Sequence, residues 1–85
     1  MKPYTQTHND NIINRKFTQD IDDSELVWHR DERDRKVTVL QQTDWLFQFD
    51  NEIPKVLKDT IFIPRNTYHR LIKGTGDLMI QILEL

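Results

Sequence analysis

Along most of this chain apolar and polar side chains alternate one for one, the period of a strand that is buried on one face and wet on the other. In residues 12–17, Ile13, Arg15 and Phe17 share a face. In residues 35–41, Val37 and Val39 alternate with Thr38 and Leu40, and β-branched side chains suit a pleated surface. Trp45, Phe47 and Phe49 fall on one face of residues 45–50, with Leu46 and Gln48 opposite. Ile61 and Ile63 alternate with Thr60 and Phe62, and a following strand opens at His69 and contains Leu71. Residues 25–31 are predicted to be a strand as well, with Val27, His29 and Asp31 on one face and Leu26, Trp28 and Arg30 on the other. The last strand, residues 78–85, is apolar on both faces: Leu78, Ile80 and Ile82 on one, Met79, Leu83 and Leu85 on the other. Such a strand is expected to be covered on both sides.

Breakers separate these segments. Pro54 limits residues 53–57 to a short or edge strand, because proline has no N–H for a ladder. Pro64 ends the strand before it, and Asn66 tolerates a left-handed backbone, so residues 64–67 can close a turn. Glu32-Arg33-Asp34, Asp50-Asn51-Glu52 and Gly74-Thr75-Gly76-Asp77 read as connections. The acidic run at residues 20–24 is turn-forming, and a single helical turn from Asp22 is compatible with an Asp or Ser cap. About eight short strands with turns every ~8–12 residues, and no helical stripe, predict an all-β sandwich or barrel. Residues 1–11 are polar and aperiodic. They read as a flexible arm, or a segment that orders against a partner, ahead of a single domain at residues 12–85.

Composition narrows the function classes more than it selects one. The chain has 85 residues and a formal net charge of −2, with no long basic run, so nothing favours nucleic acid as a partner. There is no cysteine, which excludes disulfides, zinc–thiolate sites and thiol catalysis. No apolar run approaches the ~20 residues of a membrane-spanning helix. The first residues lack an apolar signal core, which makes a cytoplasmic location the expectation.

Two stretches resemble the signature motifs of the cupins. The second cupin motif, Pro-x-Gly-x-x-His after a Gly-Asp-initiated strand, stands here as Pro64-Arg65-Asn66-Thr67-Tyr68-His69, with Lys58-Asp59 before the strand. Asn66 takes the place of the glycine. The first motif, His-x-His followed after three or four residues by Glu, stands as His29-Arg30-Asp31, with Arg35 or Lys36 where the Glu falls. The resemblance covers residues 25–85. It implies a double-stranded β-helix, a jelly-roll barrel, and it implies that His69 faces His29 and Asp31 across the cavity.

Two imidazoles and a carboxylate on neighbouring strands, His29, Asp31 and His69, are a ligand set for Fe, Mn, Ni or Zn. Against this stands Arg35, which by strand parity points into the same cavity. A guanidinium cannot ligate a cation, and it is expected to pair with Asp31 and remove the third ligand. The leading expectation is therefore a pocket without metal, built from His29, Asp31, Arg35, Phe47 and His69, that binds a small polar or anionic ligand. The alternatives are a metal-dependent enzyme using His29, Asp31 and His69, or a non-catalytic accessory module. A homodimer is expected from Leu26, Trp28 and Tyr68, which point away from the cavity face, and from the apolar C-terminal strand.

Overall fold

The computed structural model describes residues 4–85. Eight strands make two facing antiparallel sheets: β1 (Thr5–Asn9), β2 (Ile12–Phe17), β3 (Arg35–Val39), β4 (Leu46–Phe49), β5 (Lys55–Val56), β6 (Thr60–Ile63), β7 (His69–Ile72) and β8 (Leu78–Glu84). One sheet runs β1-β2-β8-β3-β6 and the other β5-β4-β7. The chain crosses between sheets repeatedly, as in a jelly roll, but no continuous ladder closes them into a barrel. The only other pairing among the described residues is an isolated bridge between His29 and His69.

The alternation read from the sequence decides what lies between the sheets. Ile13 and Phe17 of β2, Val37 of β3, Ile61 and Ile63 of β6, and Leu78, Ile80 and Ile82 of β8 are all buried. From the smaller sheet comes Phe47 and, from the residue just before β4, the fully buried Trp45. Its indole N–H donates to the Gly76 carbonyl at 3.0 Å, so the ring is buried without an orphaned donor. β8 is central, between β2 and β3. Its inner face is core, and on its outer face Leu83 lies between Ile12 and Lys36, with Leu85 beyond it exposed. Met79 and Leu83 on that outer face are half-buried.

Turn chemistry follows from residues that accept a left-handed backbone. Asn66 has φ 59°, and Asp10, Asn51 and Asp59 are also positive. Asn and Asp can hydrogen-bond locally and so visit this region at modest cost. Asp22 caps a single 3-10 turn, Asp23–Glu25, by accepting from the Ser24 amide.

Three expectations are corrected. Thr5–Asn9 is not an arm: it is β1, in register with β2 from Thr5↔Lys16 to Asn9↔Ile12. Its polar pattern hid a strand whose faces are both largely wet, and residues 1–3 lie outside the described residues. Residues 25–31 are not a regular strand, because the 3-10 turn uses up the first of them and only His29 pairs. Strand parity therefore fails there: Val27 is 58% exposed, while Leu26 packs against the core. The outward patch of Leu26, Trp28 and Tyr68 thus loses Leu26. Trp28 and Tyr68 are indeed exposed, each facing an arginine, Arg70 over Trp28 and Arg30 over Tyr68.

Candidate functional site

His29 and His69 are brought together by backbone pairing. Each amide donates to the other's carbonyl, His29 N to His69 O at 3.0 Å and His69 N to His29 O at 2.9 Å. In such a pair the two side chains leave the backbone on the same side, and the imidazole centroids are 4.4 Å apart. The turn before β7 places Asp31 beside them. The Asn66 amide donates to the Asp31 carbonyl at 2.7 Å, and the Arg65 amide donates to Asp34 Oδ1 at 2.7 Å. The left-handed Asn66 is what lets this turn dock on residues 31–34.

Both histidines carry the same local bond. His29 Nδ1 lies 3.0 Å from the Val27 carbonyl oxygen, and His69 Nδ1 lies 2.8 Å from that of Thr67. A carbonyl can only accept, so both Nδ1 atoms hold protons. In the neutral ring Nε2 is then a bare lone pair. His69 Nε2 is 3.3 Å from Asp31 Oδ2. Oδ2 is buried and has no hydrogen-bond partner. Ligand atoms of His29, Asp31 and His69 all lie within 4.8 Å of one another.

Arg35 faces inward, as parity requires, and its Nη1 lies 3.3 Å from Asp31 Oδ1. The expected pairing is present, through a single oxygen of Asp31. Arg35 also gives Nη2 and Nε to Glu84 Oε2, at 3.0 and 3.3 Å. It thus braces Asp31 through one oxygen and leaves Oδ2 facing His69 Nε2. Burial opposes ionisation of Asp31, but the contact with His69 and the charge of Arg35 outweigh it, so its pKa lies below the ordinary carboxylate value. Phe47 stacks on His69, 5.6 Å between centroids, and fixes the ring from behind. His69 is 4% exposed, whereas His29 stands at the surface.

The cluster opens to a cavity of about 260 Å³ between β2, β3, β7 and the segment before His29. A smaller pocket of about 60 Å³ continues inward to Phe47, His69 and the core. His29, Asp31 and Arg35 line both. Two contributors were not singled out from sequence as site residues. Glu84 lies 49 residues from Arg35, and only the pairing of β8 with β3 joins them. Arg15 shares a face with Ile13 and Phe17 and lines both cavities. A cation on an otherwise apolar inner stripe is the signal that could have found it. Among the described residues no helix is long and apolar enough to cross a membrane.

No protein-family model matches the chain, and no curated protein matches its sequence. Solved structures do. An RmlC-like cupin family protein with a double-stranded β-helix fold from Methanocaldococcus jannaschii superposes with a TM-score of 0.74 at 11% identity, covering 99% of this chain and 81% of that one. A DMSP lyase structure (RdDddP and RnDddQII) gives 0.71 at 20% identity over 86% of this chain. Fe(II)-HppE with an alternative substrate gives 0.65 at 14% identity over 96%. This chain spans only 36% of the lyase chain and 48% of the HppE chain. At such identities the likeness is one of architecture. The two facing sheets therefore have the double-stranded β-helix fold of the cupins.

Proposed function

We propose that the chain binds one divalent transition metal ion through His29 Nε2, His69 Nε2 and Asp31 Oδ2, and holds a small ligand in the adjoining cavity. The observation that carries this is the approach of His69 Nε2 to Asp31 Oδ2. With Nδ1 protonated on the Thr67 carbonyl, two lone pairs face each other at 3.3 Å inside the protein. A proton or a cation has to lie between them. A ring nitrogen of His29 lies within 4.8 Å of the ligand atoms of His69 and Asp31, so the donor set is the two-histidine, one-carboxylate set that suits Fe, Mn, Ni or Zn. The Val27 and Thr67 carbonyls and Arg35 supply the outer bonds that orient such ligands. Two carboxylates, Asp31 and Glu84, against one guanidinium leave Arg35 no net repulsion to offer a cation. A bound metal would supply a Lewis acid with open positions. The protein's own contribution is to orient the imidazoles, exclude water on the Phe47 side and leave the cavity side open. DMSP lyase and Fe(II)-HppE structures share the fold, which adds plausibility to metal chemistry without choosing a reaction.

The ion pair between Arg35 and Asp31 supports a second reading. In it the shared position holds a proton, His69 is an imidazolium, and the pocket binds its ligand without metal. Cobalt(II) titration separates the two. The metal reading expects about one cobalt per chain, with visible absorption of an ordered site, and loss of that absorption in His29→Ala. Because His29 is exposed, this variant keeps its fold. Absorption equal in the two proteins would reject it.

A further inference from the structure

We propose that Arg15 is a carboxylate anchor, and that the cavity takes a small monocarboxylic acid with an apolar body. The inference rests on reading the cavity as a ligand site, but not on what occupies the His29, Asp31 and His69 position. Arg15 and Arg35 both project into the cavity, and they differ in their commitments. Arg35 is held by Asp31 and Glu84. Arg15 donates its Nε to Gln6 Oε1 at 2.9 Å, and its guanidinium carbon lies 3.9 Å from the centroid of the Tyr4 ring. Both partners are neutral. Among the described residues no carboxylate reaches it at ion-pair distance, and its terminal amino groups make no hydrogen bond.

Burial pushes the Arg15 pKa down, and the like charge of Arg35 adds to this, against the pull of Tyr4, Asp31 and Glu84. A half-buried guanidinium with neutral partners has lost hydration without gaining a counter-charge. Its two free terminal donors form a planar fork, the shape that a carboxylate accepts in a bidentate bond. Tyr4 and Gln6 fix the plane of that fork from one side. The rest of the cavity wall is apolar where Phe17, Leu26, Val27 and Leu71 line it. Volume limits the occupant: about 260 Å³ holds roughly eight or nine waters at ~30 Å³ each, which matches an acid of about ten non-hydrogen atoms. The local charges sum to zero over Arg15, Arg35, Asp31 and Glu84, so a dication would leave the site positive and strengthen the demand for an anion.

The test uses benzoate as probe and benzyl alcohol as its neutral counterpart, titrated into chelator-treated protein. Benzoate should bind wild type at millimolar concentration and shift the Arg15 Nε–H signal in proton–nitrogen correlation spectra. Arg15→Gln should weaken benzoate by about tenfold or more, ~1.4 kcal/mol, and leave benzyl alcohol within about twofold; Arg15→Lys should fall between. No benzoate binding by wild type, unchanged binding in Arg15→Gln, or equal weakening of both probes would each overturn the anchor. If Arg15→Gln does not fold, the wild-type Nε–H shift and the affinity of Arg15→Lys still decide for or against the anchor. Cobalt binding without benzoate binding rejects the anchor and keeps the metal reading. Benzoate binding without cobalt binding does the reverse.

Discussion

His29 and His69 carry the same local hydrogen bond, from Nδ1 to a carbonyl two residues earlier, yet the molecule supports them very differently. His69 opens β7, is 4% exposed, and has Phe47 stacked on its face. His29 lies in a segment with no ladder beyond its own bridge, and its ring is at the surface. One imidazole is part of the core, and the other is presented to the cavity by two backbone bonds. Under the proposed metal reading such a site separates stability from ligation: the same substitution at the two positions removes the same donor but not the same packing.

His69→Ala breaks this comparison or upholds it most clearly. It opens a void beside Phe47 and strands the Asp31 carboxylate, and should cost about 3 kcal/mol in urea denaturation of metal-free protein. His29→Ala should cost under ~0.5 kcal/mol in the same measurement. Equal costs would mean that His29 is as structural as His69.

Arg35→Met removes the cation between Asp31 and Glu84 without removing a ligand. Metal-free protein should lose about 2 kcal/mol, and added cobalt should recover more stability than it gives wild type, because the dication then replaces the missing charge. A loss that cobalt leaves untouched would show Arg35 bracing the fold and not the carboxylate.

Asn66→Ala tests the turn that carries Asp31 to the histidines. At φ 59° it should cost about 1 kcal/mol, a drop of roughly 4–8 °C in thermal midpoint for a domain of this size, and cobalt affinity should fall with it. Asn66→Gly should restore both.

The smallest effect is a control at the other end of the β4–β7 pair. Asp44 accepts from the Thr75 amide and hydroxyl, each at 2.8 Å, and these bonds lower its pKa. A depressed folded pKa gives stability that is present above the ordinary carboxylate pKa and lost as pH falls through the folded value. Asp44→Asn should therefore flatten the acid limb of the stability profile equally with and without cobalt. Metal dependence of that change would show that the two ends are coupled.

Much of the fold was legible because strand alternation is local. Ile13, Val37, Phe47, Ile61, Ile63 and Ile80 are core residues wherever their strands pair, since successive side chains must take opposite faces. The inward direction of Arg35 and the turn at Asn66 followed from the same kind of short-range geometry. The segment before Asp31 misleads because its alternating residues mimic a strand, while the cap at Asp22 starts a helical turn instead. β1 escapes notice because a strand wet on both faces leaves no hydrophobic signature.

What the sequence by itself determined is thus the set of short-range preferences: which residues alternate, where the chain turns, and that His29 and Asp31 stand two residues apart, while the place of His69 opposite them was an implication of the motif resemblance. Only the tertiary structure decided that β8 lies against β3 and β2. That choice sets Glu84 on Arg35 and leaves Asp31 with a bare oxygen beside His69, and it lines the cavity with Arg15. The physical reason is that partners 49 residues apart meet through the register of whole strands, which depends on burying every apolar face at once and on no single stretch of the chain.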